Sequence, residues 1–177
     1  MEVLQGRPTD ETGRLEKEIA VYDLLDKLDI PFRRVDHVHA DTMEMCQEID
    51  QALGQDICKN LFLCNRQKTK FYLLLMPGDK PFKTKDLSAQ IGSSRLSFGG
   101  AEDMERLLNL TPGSVTVLGL MYDPDCQVTL LIDQDLYQQS AFGCHPCINT
   151  STVQFSTADF REKLLPALGR PVTLVQL

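Results

Sequence analysis

At 177 residues, with 42% hydrophobic and 24% charged side chains, the chain has a globular composition and can bury roughly two thirds of its unfolded surface. A disordered or fibrous architecture is excluded, and neither a disulfide nor a metal staple is needed to hold a core. A net charge of −7 argues against a protein that grips a long nucleic-acid backbone, because such binding is driven by Lys and Arg displacing counterions. The charge is uneven: residues 1–58 sum to −8, residues 59–95 to +6 and residues 96–177 to −5. Lys59, Arg66, Lys68, Lys70, Lys80, Lys83, Lys85 and Arg95 form this basic island, which suits either local phosphate contacts or solvated hairpin ends.

In chain order, the N-terminal segment has no basic flank followed by an apolar core. Secretion and membrane spanning are therefore not expected, and six cysteines read as reduced thiols of a cytoplasmic protein. Leu15, Ile19, Tyr22, Leu25 and Leu28 recur at helical spacing, and Ile30-Pro31 stops that helix near Asp29. Phe32 to Val35 reads as a strand. Asp41 with Glu44 resembles a capping box opening a helix to about Leu53. Asn60–Cys64 and Lys70–Met76 are expected to form a buried hairpin, Thr84 to cap a helix to about Ile91, and Ala101 to Leu108 to be helical. Two β-rich runs, Ser114 to Met121 and Gln127 to Ile132, are split by the turn-like residues 122–125. Asn149 to Phe155 reads as a strand, Ser156 with Asp159 as the cap of a helix to about Leu168, and Val172 to Val175 as a last strand. Without repeats, linkers or regular βαβ alternation, this predicts one α+β domain over 1–177, with a mixed, mostly antiparallel sheet flanked by helices.

Five features could carry chemistry. Lys59, with Asn60, opens an apolar strand and offers a compact ammonium to a phosphate or oxyanion; the plainer alternative is a strand-edge lysine. The stretch Gly113, Ser114, Val115, Thr116 and Val117 is either a main-chain binding loop or a simple connection. His145, before the strand containing Asn149, can donate, accept or shuttle a proton. His37 and His39 have a spacing metals can use but no third ligand, and Cys144 and Cys147 form a Cys-x-x-Cys pair that is redox-active, half of a zinc site or structural. No metal or cofactor is expected.

Lys59-Asn60-Leu61-Phe62-Leu63, Arg95-Leu96-Ser97-Phe98, Leu110-Thr111-Pro112-Gly113-Ser114-Val115, and His145-Pro146 followed by Asn149-Thr150 together resemble the YbaK/ProX family of prolyl-tRNA editing proteins. These are stand-alone relatives of the editing domain of bacterial prolyl-tRNA synthetase. The resemblance runs from about Leu15 to Leu177 and implies the editing-domain fold. It further implies a metal-independent deacylase that clears alanine from proline tRNA, engaging the tRNA acceptor end, with prolyl-tRNA synthetase as a candidate partner. It places catalytic roles on Lys59, Asn60 and His145, and substrate contacts on Gly113 to Val117, Arg95 and Asn149. The family's loop reads Gly-x-x-x-Pro, whereas Val117 stands here in the proline's place. The alternatives are a non-catalytic editing-like module that binds an aminoacyl-tRNA end or nucleotide, and a thiol oxidoreductase.

Overall fold

In the computed structural model, which describes residues 1–177, the apolar run Phe71–Met76 forms a strand buried on both faces. A strand alternates its side chains across the sheet, so an unbroken apolar run requires cover on each side. Phe71, Leu73 and Leu75 enter the main core, while Tyr72, Leu74 and Met76 enter a second cluster with Leu87 and Leu96.

The strands are β1 (Leu4–Gln5), β2 (Arg33–Asp36), β3 (Lys59–Cys64), β4 (Phe71–Met76), β5 (Ser97–Phe98), β6 (Val128–Asp133), β7 (Ala141–Cys144), β8 (Ser151–Ser156) and β9 (Val172–Val175). They form two sheets rather than the single one expected, ordered β1-β2-β8-β7 and β5-β3-β4-β6-β9. β3 and β4 pair antiparallel as the expected hairpin, with Lys59 opposite Met76, whereas β4–β6 and β6–β9 are parallel. The main core draws on both sheets, on α1 (Glu16–Lys27), on α4 (Ala101–Leu108) and on the C-terminal helical segment. α2 (Met43–Leu53) sets Ile49 and Leu53 on Val35, and α3 (Thr84–Ile91) supplies Leu87 to the second cluster.

Local chemistry departs from expectation at three places. The cap of α2 is Thr42, whose hydroxyl accepts from the Met45 N–H at 3.2 Å, and Asp41 is spent elsewhere. Lys83 precedes α3, so Thr84 is its first helical residue and caps nothing with its side chain. The run Ser114 to Met121 is not a strand: a buried loop leads into a 3-10 helix over Val117–Tyr122, capped by Thr116 and pressed against the end of α4 at Gly119. A Cβ at Gly119 would lie 2.6 Å from Leu110 Cδ1, so this approach requires glycine.

Ser156 caps the C-terminal segment as expected, its Oγ accepting from the Asp159 N–H at 3.1 Å. The segment runs through α5 (Thr157–Asp159), a π-helical stretch (Phe160–Leu164) and α6 (Leu165–Leu168). Pro166 has no N–H for an i→i−4 bond, and a widened turn just before it accommodates that loss. No helix is long and apolar enough to cross a membrane.

Candidate active site

Two adjoining hollows lie where β3 begins and β7 ends. The deeper, about 260 Å³, is lined by Ile57, Cys58, Asn60, Gly113, Val115, Cys144 and His145. A groove of about 470 Å³ shares Ile57, Cys58 and His145 and adds Lys59 with Asp50 and Asp56. Four distant stretches of sequence thus meet at one sheet end. A larger polar hollow, about 750 Å³, lies beyond the Asn149 brace, against Arg14, Lys17, Glu18, Asp36 and Asp41; Arg14 pairs with Glu18 and Asp36, Asp41 accepts from Asn149, and Lys17 donates to the Asn109 carbonyl at 3.1 Å.

Lys59 is partly exposed at the groove, its ammonium donating to the carbonyl of Lys80 in the loop after β4. Lys80 itself pairs with Asp133 at 2.8 Å and Asp135 at 2.7 Å. Asn60 holds the frame: its Oδ1 accepts from the Val117 N–H at 2.9 Å, and its Nδ2 donates to the Cys58 carbonyl at 3.2 Å. Proline at position 117 could not make that bond. The Val117 side chain is fully buried in the core and does not face the cavity.

The Gly113 loop is built for one backbone shape. Gly113 has φ +88°, and a Cβ there would stand 3.1 Å from Asn149 Nδ2. Asn149, packed against Gly113, is anchored to the 37–41 segment, donating to Asp41 at 2.9 Å and accepting from the Ala40 N–H at 3.1 Å. Ser114 and Thr116 are buried: Ser114 Oγ donates to the Thr111 carbonyl at 2.7 Å, and Thr116 accepts from the Leu118 N–H. Of the loop residues, Gly113 and Val115 line the deeper cavity. Gly113→Ala is expected to cost about 1 kcal/mol or more in stability, by combining a left-handed backbone with displacement of Asn149. A melting curve superimposable on that of the wild type would refute this.

His145 Nδ1 lies 2.9 Å from the Ser151 carbonyl, which can only accept, so the proton sits on Nδ1 and Nε2 carries the lone pair. Burial lowers the pKa of this imidazole and neighbouring His37 lowers it further, against the opposing pull of the Ser151 carbonyl. His145 is therefore neutral at pH 7. Ser151 is in turn fixed by its hydroxyl, 3.0 Å from Asp36 Oδ1.

Arg95 is not brought here. β5 pairs with the far end of β3, Cys64 opposite Ser97, so Arg95 lies roughly a strand length from Lys59, about 17 Å, and is exposed. The basic island is divided likewise, with Arg66, Lys68 and Lys70 at the remote hairpin tip. His37 lies near His145, 6.1 Å between ring centroids and tilted by 56°, while His39 faces the larger hollow, and no three His, Cys, Asp or Glu residues are grouped as a metal would require. Burial pushes the Cys144 and Cys147 thiols up to about 12 and raises that of Cys58, which keeps them protonated and poorly nucleophilic. Ile57, Cys58, Asp41 and Ser151 belong to this candidate site with no signal in the sequence, and Cys144, singled out there as half of a Cys-x-x-Cys pair, lines the cavity instead; only their tertiary neighbours reveal this.

A family model described as the aminoacyl-tRNA editing domain matches residues 37–163. The prolyl-tRNA editing protein ProX of Acetoanaerobium sticklandii is 31% identical over 92% of this chain and 99% of its own length. Prolyl-tRNA synthetase associated domain-containing protein 1 of Danio rerio is 28% identical over 90% of this chain and 86% of its own. A solved structure described as a candidate trans-editing enzyme for prolyl tRNA synthetase superposes with a TM-score of 0.65 at 16% identity, over 92% of this chain and 98% of that one, a likeness of fold. The chain belongs to the aminoacyl-tRNA editing domain family, the YbaK/ProX family.

Proposed function

We propose that the chain hydrolyses the ester of mischarged tRNA, with alanyl-tRNA for proline as its preferred substrate, by attack of water without a metal or a covalent intermediate. The observation that carries this reading is the convergence of Lys59, Gly113 and His145 on two adjoining hollows. The aminoacyl group enters the deeper cavity, where main-chain groups of the Gly113 loop hold it and Nε2 of His145 accepts a hydrogen bond. Lys59 exchanges the Lys80 carbonyl for an oxygen of the terminal nucleotide or of the ester, a stronger partner for an ammonium. The substrate's own ribose hydroxyl places the water, and the 3′ oxygen leaves with a proton.

The deeper cavity has room for either alanine or proline, so selection falls on contacts rather than on volume. Proline's secondary ammonium offers one N–H fewer. Losing one hydrogen bond from a charged donor is worth about 1.5–3 kcal/mol, or roughly one to two decades in rate. A panel of alanyl, cysteinyl, seryl and prolyl esters, assayed with and without chelator, tests the proposal. Alanine is expected to be released fastest and the chelator to change nothing. Equal release of alanine and proline would remove the specificity, and zinc-restorable loss would remove the metal-free mechanism.

Few cations flank the hollows, so tRNA selection calls for help from outside the chain. We assign that role to prolyl-tRNA synthetase holding the body of the tRNA. The Asn60–Val117 bond secures the loop where the family carries proline, which favours a working enzyme over a non-catalytic module.

A further inference from the structure

His37 belongs to no part of the mechanism above, yet its ring is locked as tightly as that of His145. Its Nδ1 lies 2.6 Å from the Val38 carbonyl, so Nδ1 carries the proton. Its Nε2 must then accept, and it does so from the Thr152 hydroxyl at 2.9 Å. With its proton committed to His37, Thr152 Oγ1 turns lone pairs toward His145 Nδ1, 3.5 Å away. Thr152 is fully buried in β8, so water does not compete for this hydroxyl. Both rings are thereby held in one tautomer, 6.1 Å apart, and Nε2 of His145 lines the cavity without a protein partner.

We propose that His37 is a positioning residue for the editing reaction: with Thr152 between the rings, it holds His145 neutral, so that the Nε2 lone pair receives the α-ammonium of the aminoacyl end. The proposal rests on the deacylase reading for its substrate, but not for the coupling of the two rings. An imidazolium at position 145 would repel the ammonium and has no lone pair to offer it. Burial disfavours that imidazolium, and the two rings, 6.1 Å apart, cannot both take up a proton without repelling each other. The other titratable groups around His145 are Cys58 and Cys144 in the deeper cavity, and Lys59, Cys46, Asp50, Asp56 and Asp79 along the groove. Lys59 acts in the same sense as His37. The three aspartates act against it.

The test is a ¹⁵N titration of the His145 ring in full-length protein without substrate, on the wild type, His37→Gln and His37→Lys. The wild type is expected to show the Nδ1–H tautomer and a midpoint below the ordinary imidazole value. Removing the second imidazole in His37→Gln should move the midpoint up, and a permanent charge in His37→Lys should move it down. Opposite signs are the signature, because a merely structural disturbance would shift both the same way. An Nε2–H tautomer in the wild type, an unmoved midpoint, or shifts of the same sign would overturn the proposal. In steady-state kinetics on alanyl-tRNA, acidification through the midpoint should raise KM and leave kcat, with the onset moving to higher pH in His37→Gln. A fall in kcat at constant KM would overturn the ammonium contact. A protein that titrates as expected but releases no amino acid from any ester would refute the deacylase reading and leave the ring coupling intact.

Discussion

Arg170→Met is expected to lower stability by about 3–5 kcal/mol, the usual cost of removing one partner of a buried ion pair. In a chain of this length that corresponds to a fall in melting temperature of roughly 6–20 °C. Arg170 and Asp123 are each 1% exposed at the side chain and lie 2.9 Å apart. The guanidinium also donates to the carbonyls of Val128 at 2.8 Å, Leu120 at 3.1 Å and Asp123 at 2.6 Å. The Asp123 carboxylate accepts from the Gln127 and Val128 N–H groups at 3.0 and 2.8 Å, so it stays buried, without its partner, when the arginine goes. Methionine fills part of the volume but satisfies none of these acceptors. The double variant Arg170→Met, Asp123→Leu should be less destabilised than the sum of the two singles, because the orphaned carboxylate is then absent. A thermal melt of Arg170→Met within about 1 kcal/mol of wild type would show that the pair makes no net contribution.

The same residue explains the largest error in reading the sequence. Residues 115–121 are β-rich, and local propensity favours a strand there. Arg170, about fifty positions later, donates to the carbonyls of Leu120 and Asp123, and Asn60 of β3 accepts from the Val117 N–H, so the partners that fit the segment as a short helix are both distant in sequence. No local signal reports a clamp that arrives from the far end of the chain. By contrast β4 and β6 were legible as short, nearly unbroken apolar runs, and α4 because burial of one face writes a helical period into the sequence. The two-residue strands β1 and β5 exist only by pairing with β2 and β3, and β7 is four residues long with Gly143 inside it, too short to show a period. The cross-sheet order was equally hidden, since the parallel β4–β6 pairing joins strands separated by two α-helices, a strand and a 3-10 helix.

The site was legible in pieces. Lys59, His145 and the Gly113 loop each had an ordinary explanation in isolation, and only their order along the chain, as a family resemblance, joined them. Asp41 illustrates the limit: its spacing to Glu44 suggested a helix cap, yet its carboxylate secures Asn149 at the edge of the Gly113 loop. Arg95 illustrates the opposite error, a residue carried in by resemblance that the antiparallel β3–β5 register sets at the wrong end of the strand.

Lys59→Met is expected to fold normally and to lose one to two decades of kcat/KM on alanyl-tRNA, since one charge-assisted hydrogen bond is worth about 1.5–3 kcal/mol. Lys59 is partly exposed and its ammonium rests on a single loop carbonyl, which water can serve when the ammonium is gone. The aliphatic stem is matched by methionine, so the β3–β4 pairing of residue 59 with Met76 is kept and the melting temperature should hold. Lys59→Arg tests shape: it keeps the charge but replaces a compact ammonium with a planar fork, and is expected to recover part of the rate rather than all of it. The informative comparison is deacylation against melting, measured on the same preparations. If Lys59→Met retained wild-type deacylation and melted as wild type, the lysine would be an ordinary strand-edge residue anchoring the loop after β4. The charge needed at the ester would then have to come from the other wall of the cavity, where His145, kept neutral by His37 and burial, has none to give.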